Sequence, residues 1–165
     1  MSEVVVDTNV WVKVDEAVIE TETDEERQCV ISCQEWLEYF ITSEDRLVVD
    51  TYDTHAILTE YRNNVRPGGI AENLLNELTG RLFHRLELKA IQLDSDGFAI
   101  LPSPFHLAHG KDRKFVAVAI QCDPYATIHN ATDTDWSKEC EQLAENRLTV
   151  HELCPDYIEQ RMFIS

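Results

Sequence analysis

The stretch Val4-Val5-Val6-Asp7-Thr8-Asn9-Val10, near the start of the chain, constrains the fold most. Three consecutive β-branched residues predict a short strand buried on both faces. Such strands belong to parallel sheets covered by helices. The run then turns polar, through a carboxylate, an alcohol and an amide. In open α/β sheets, ligands bind in the crevice outside the carboxyl ends of the strands. Asp7 is therefore placed for chemistry, or for capping the helix that follows.

The rest of the chain repeats this alternation. Val10 to Val14 reads as a brief helical turn and Asp15 to Glu26 as an acidic loop or helix start. From Asp24 to Ile41, Val30, Cys33, Leu37 and Phe40 recur at helical spacing, predicting an amphipathic helix. Arg46 to Asp50 is a second short strand ending in Asp. A helix follows from about Thr51 to Asn64, and Arg66-Pro-Gly-Gly69 breaks it. Leu74, Leu78, Leu82 and Arg85 lie along one side of a third helix, from Ile70 to about Leu86. Leu88 to Leu93 reads as a strand and Asp94 to Gly97 as a turn. Further on, helices are predicted from about Lys111 to Cys122, Ser137 to Glu145 and Pro155 onward. Strands are predicted at Ala126 to His129 and Arg147 to His151. Short strands alternating with helices predict a single three-layer α/β domain over 1–165 with a mainly parallel sheet. Residues 87–109 read as a candidate insertion.

Composition narrows the classes of function. The 165 residues are 44% hydrophobic, and Gly and Pro number five each, which is a globular composition. No apolar run approaches the roughly 20 residues a membrane span needs. Met-Ser-Glu-Val-Val lacks the features of a signal peptide, so a cytoplasmic location is expected. Five Cys residues, with no C-x-x-C pair, predict reduced and mostly buried thiols. Fourteen Lys and Arg against thirty-one Asp and Glu give a net charge of −17. That argues against broad electrostatic attraction to nucleic acid. Clustered carboxylates holding a divalent ion would reverse the field locally, and a basic partner protein would mask it. A high-salt cytosol would also accommodate the acidity.

The informative acids are those on the wrong side of an element. Glu60 lies at i+4 from Ala56 and i+3 from Ile57, on the apolar stripe of its predicted helix. An ionised Glu there needs a metal, solvent or a partner such as Arg62. Asp112, Phe115, Val116 and Ala119 share one face, with the carboxylate in the first turn, where the helix dipole also favours Asp. Asp133 and Asp135 follow the fourth predicted strand, with Trp136 as an anchor for the loop. The same acids suit an Asx turn capping the next helix. Taken together, acids from four segments suit a hard cation, Mg²⁺ or Mn²⁺. Such an ion can polarise a phosphate and activate a water. Lys111, Arg113 and Lys114 are candidate phosphate contacts or solvated first-turn residues, and His106 and His109 are candidate proton donors.

The ordered motifs Val-Val-Val-Asp7-Thr-Asn-Val, Ile57-Leu-Thr-Glu60-Tyr-Arg, Lys111-Asp112-Arg-Lys-Phe-Val-Ala-Val-Ala119 and Thr132-Asp133-Thr-Asp135-Trp resemble those of PIN-domain ribonucleases. The resemblance implies a parallel sheet in the order 3-2-1-4-5 flanked by helices. It implies Mg²⁺- or Mn²⁺-dependent hydrolysis of RNA, with Asp7, Glu60, Asp112 and Asp133 as catalytic and metal-binding acids. Asp135 would be the accessory acid, and Asn9, with Thr8, would orient the site. Small members of the family are often toxins of toxin–antitoxin pairs and usually homodimers, which implies an antitoxin partner here. Ala131 stands where the family often has a small hydroxyl residue, and the chain exceeds the commonest toxin length. Two other readings are an inactive PIN-like scaffold that binds protein and a receiver-like phosphotransferase. The latter lacks a well-placed Lys.

Overall fold

A computed structural model describes residues 1–164, with side chains as far as Phe163. Five parallel strands form one sheet: β1 (Glu3–Val6), β2 (Arg46–Asp50), β3 (Leu86–Lys89), β4 (Thr127–Asn130) and β5 (Val150–Glu152). Their spatial order is β3-β2-β1-β4-β5. Val4 pairs with Leu47 on one side of β1, while Val5 and Val6 pair with Ile128 and His129 on the other. β1 is therefore central, and Val5 and Val6 are fully buried. The consecutive β-branched residues have helix-covered surface on both faces, as their pattern requires.

Among the described residues, seven α-helices flank the sheet in a three-layer α/β/α architecture. They are α1 (Thr8–Lys13), α2 (Asp24–Thr42), α3 (Ala56–Asn64), α4 (Ile70–Thr79), α5 (Arg113–Ala119), α6 (Thr134–Glu145) and α7 (Pro155–Ile164). α5 lies against β1, β2 and β4, and every residue from Phe115 to Ala119 is buried. Aromatic rings join the layers. Trp11 of α1 meets Trp36 of α2 and Tyr61 of α3, and Phe115 of α5 meets Tyr61 and Trp136.

Several boundaries differ from the sequence reading, each for a local reason. α3 starts at Ala56 rather than Thr51. The Asp50 carboxylate reaches forward to accept Ala56 N–H at 2.6 Å, Ile57 N–H at 2.8 Å and the Thr54 hydroxyl at 2.5 Å. α4 ends at Thr79 because Gly80 leaves helical geometry, with φ −118° and ψ −107°. Arg85, read as part of the α4 stripe, is instead buried in the short turn before β3. Its guanidinium donates to the carbonyls of Phe40 (2.6 Å) and Asp45 (2.8 and 3.0 Å), satisfying acceptors at and beyond the end of α2. The helix expected from Lys111 is a 3₁₀ turn, Gly110–Asp112, continuing into α5.

The cysteine expectation is also corrected. Cys29 on α2 and Cys154 at the start of α7 form a disulfide, with their Cα atoms 4.9 Å apart. The buried Cys33 thiol, one turn along α2, lies 3.9 Å from the Cys154 sulfur. Burial pushes the Cys33 thiol up to about 12.

Residues 90–109 carry no helix or regular strand, but they are not shapeless. Leu93 bridges Ala99 in antiparallel fashion, and Asp94 N–H donates to Phe98 O at 2.8 Å. The Asp94 carboxylate accepts from Asp96 and Phe98 N–H groups, and Gly97 (φ +82°) closes the turn. Among the described residues, no helix is long and apolar enough to cross a membrane.

Candidate metal centre

The strand order reverses between β1 and β4, so their carboxyl ends open a crevice at the topological switch point. Asp7 follows β1 directly. Its N–H donates across the switch to His129 O at 2.9 Å, which pins it against β4. Asp133 follows β4 by three residues and caps α6, accepting Asp135 N–H at 2.8 Å. Asp112 stands at the start of α5, the helix that crosses β1, β2 and β4. Three segments distant in sequence thus bring Asp7, Asp112 and Asp133 together. One carboxylate oxygen from each lies within 4.8 Å of the others.

Electrostatics makes this an uncomfortable cluster on its own. Asp7 is 5% exposed, and burial raises its carboxyl to about 7. Asp112 and Asp133 add to the rise, while an indole N–H bond from Trp136 to Asp7 Oδ2 opposes it. Asp112 is half-buried and raised to about 6, first by burial and then by Asp133. Asp133 is raised by burial as well. Three acids that destabilise one another's charge are matched by a hard dication with oxygen preference. The donor set therefore fits Mg²⁺ or Mn²⁺. The Thr8 hydroxyl, next to Asp7, is buried and has no hydrogen-bond partner among the described residues.

The other expected residues take distinct places. Glu60 is not among the three converging acids. Its carboxylate pairs with the Lys114 ammonium at 2.6 Å, and both groups act on the charge of Asp112. Arg62, the partner weighed from sequence, instead binds Asn76 and Thr79. Asp135 pairs with His109 at 3.2 Å and more loosely with Lys138. Asn9 turns its amide to the β4 loop, donating to Asn130 Oδ1 at 3.2 Å and accepting Ala131 N–H at 3.0 Å. Arg113 is engaged with Leu107 O at 2.9 Å. Lys111 is exposed, and its ammonium has no partner among the described residues. His106 is exposed, on a cleft away from the three acids.

Sequence reading missed Asn130. It is fully buried at the last position of β4. Its amide donates to Asp133 O at 2.8 Å and to Glu152 Oε2 at 2.7 Å, while its oxygen accepts Asp133 N–H at 3.2 Å. Asn130 therefore holds both backbone groups of the residue that delivers the third acid. The signal was available: Asn130 ends a buried strand in a polar residue, as Asp7 follows β1 and Asp50 ends β2. Trp136, read only as a loop anchor, is the group that bonds Asp7 directly.

Comparisons with family models, curated proteins and solved structures return no match.

Proposed function

We propose that the chain is a Mg²⁺- or Mn²⁺-dependent endoribonuclease of PIN-like type that hydrolyses RNA phosphodiester bonds. The observation that carries this reading is the convergence of Asp7, Asp112 and Asp133 at the switch point of a parallel sheet. These three would hold the cation, which when bound supplies Lewis-acid polarisation of the phosphodiester and acidifies water. The chain's own residues do the rest. Trp136 fixes the Asp7 carboxylate, and Asn9 and Asn130 hold the loop bearing Asp133. Glu60, anchored by Lys114, offers a carboxylate oxygen to take a proton from the attacking water. Lys111 offers an unengaged cation to the RNA backbone. The same reading makes the chain a candidate toxin, acting in the cytoplasm as a homodimer. A basic antitoxin segment would complement the −17 net charge.

The test is cleavage of single-stranded RNA, with a DNA arm, by wild type, Asp7→Asn and Asp112→Asn. Wild type is expected to cut RNA with Mn²⁺ and to stop with EDTA. Each variant should lose at least about a hundredfold in rate, since outer-shell changes alone cost 10- to 100-fold. Absent cleavage, or cleavage unchanged in both variants, overturns the proposal. If Mn²⁺ binding is also absent by calorimetry, the protein-binding scaffold becomes the better reading.

A further inference from the structure

Beside the three acids lies a cleft of about 380 Å³. One wall is α3, with Glu60 and Asn63. The other is the start of α5 and the turn before it, with Gly110, Lys111 and Lys114, and Phe98 of the 93–99 hairpin lines the cleft with them. Gly110, Lys111 and Lys114 of this lining flank Asp112 along the chain, so the cleft adjoins the cluster on its Asp112 side. The hairpin is built to hold Phe98 in place. Asp94 accepts Phe98 N–H at 3.0 Å, and the ring lies so close over Gly110 that a Cβ there would come within 2.5 Å of it. The Arg113 guanidinium stands 6.0 Å from the ring centroid.

We propose that this cleft is a subsite for one unpaired nucleobase of a single-stranded RNA, with the adjoining phosphate toward the cation that Asp7, Asp112 and Asp133 would hold. The inference rests on the ribonuclease reading and adds to it what part of the substrate is read. The cleft combines what a splayed-out base needs: an aromatic ring, an amide to meet a base edge, and cations for flanking phosphates. Its volume lies at the small end of ligand pockets. That suits a single nucleoside and excludes a duplex. The ring comes from the 90–109 segment, outside the four acidic motifs, so the subsite is this chain's own feature.

Binding separates this proposal from catalysis. Labelled RNA 12-mers are titrated into Asp7→Asn protein by fluorescence anisotropy, alone and combined with Phe98→Ala, Phe98→Trp or Asn63→Ala. Circular dichroism checks that each variant is folded. Phe98→Ala should weaken single-stranded RNA about tenfold or more, as loss of a stacking ring does, while Phe98→Trp keeps affinity. Asn63→Ala should change the ranking among the four homopolymers. Affinity within twofold of the parent in Phe98→Ala, or an equal loss for duplex RNA, overturns the subsite. A wild type that cleaves RNA with unchanged KM in Phe98→Ala leaves the nuclease standing and removes the subsite. Phe98-dependent binding by a protein that never cleaves keeps the subsite and removes the nuclease. Failure of both measurements removes both.

Discussion

Asp7 shows how much one side chain changes when its environment is assembled. In sequence it was an acid after a strand, equally suited to a cap or to chemistry. In the structure it is both: Asn9 N–H reaches Oδ1 at a long 3.5 Å, and Trp136 holds Oδ2. Its weak cap leaves the carboxylate open to the other two acids. A carboxyl raised from 3.8 to about 7 binds its proton more tightly in the folded state than in the unfolded one. That contribution to stability is complete below about pH 4 and is lost as pH rises toward 7. For Asp7 the loss is up to about 4 kcal/mol, and Asp112 adds to it over a lower window, ending near 6. Buried His129, lowered from 6.5 to about 4, works against this below pH 6.5 and offsets part of it. Metal-free protein should therefore melt at a lower temperature at pH 8 than at pH 5. Asp7→Asn should remove most of that fall and melt higher than wild type at pH 8. With saturating Mn²⁺ the order should reverse, because the ion binds the ionised carboxylates and the variant has lost one. Differential scanning fluorimetry across pH, with EDTA or Mn²⁺, reads all three outcomes. A pH 5 to 8 change in melting temperature that is the same in metal-free wild type and Asp7→Asn would show that Asp7 is not held in an unfavourable charge state.

At the scale of elements, what was legible depended on whether the cause lay within the element. β2 was read to the residue, because Arg46-Leu-Val-Val-Asp50 carries its own pattern. α2 was read to within a residue, because its apolar spacing runs the whole length. Partners set from a distance were not legible. The Arg66-Pro-Gly-Gly69 break put the start of α4 at Ile70, where it lies, but not its cap: Asp15, far away in sequence, accepts Ile70 N–H at 2.7 Å and Ala71 N–H at 3.2 Å. Its first turn comes so close to that carboxylate that a Cβ on Gly69 would collide with it. Arg85 counted as an apolar-stripe residue because spacing alone does not tell a buried guanidinium from a Leu. The three acids of the site were legible as candidates because each stood at a junction. Glu60 was grouped with them on helical spacing, which does not show that Lys114 would take its carboxylate. Asp50 is the strongest of these remote supports, since it ties the end of β2 to the first turn of α3, the helix that carries Glu60 and one wall of the cleft. It is 1% exposed and accepts three hydrogen bonds. Asp50→Ala should cost about 2–4 kcal/mol, more than an ordinary cap because a buried and a half-buried N–H group both lose their acceptor. Urea unfolding measures this; a loss below 1 kcal/mol would mean that water replaces the carboxylate.

Across the whole molecule two long-range features act that no local pattern announces. One is the tie from α2 to α7 through Cys29 and Cys154, which joins residues 125 apart and binds the last helix to the body of the domain. Five cysteines without a C-x-x-C pair read as reduced thiols, and nothing in their spacing announced that Cys154 would reach Cys29 from the far end of the chain. The other is net charge, legible from composition alone, whose consequence for RNA depends on where the cations stand. Arg113 and Lys114 of the basic run are engaged within the fold, Lys114 with Glu60, a backbone carbonyl at the cleft and the Phe115 ring. Of the cleft's own lining, two lysines, Lys111 with no partner among the described residues and the paired Lys114, could at most displace counterions from RNA. Each phosphate contact to a single strand contributes a slope of about −0.7 in log affinity against log salt, so the local term is near −1.4. Against it stands repulsion between RNA and a chain of charge −17, which salt screens as the Debye length falls from about 30 Å at 0.01 M to 10 Å at 0.1 M. Affinity of Asp7→Asn protein for single-stranded RNA should therefore rise or stay level up to about 0.1 M KCl. Above that it should fall with a slope no steeper than about −1.4. Lys111→Gln should make the high-salt slope shallower by about 0.7, with little change at low salt. A slope steeper than −3 would mean that many more cations meet the RNA than this cleft provides, and that the nucleic acid lies on another face of the protein.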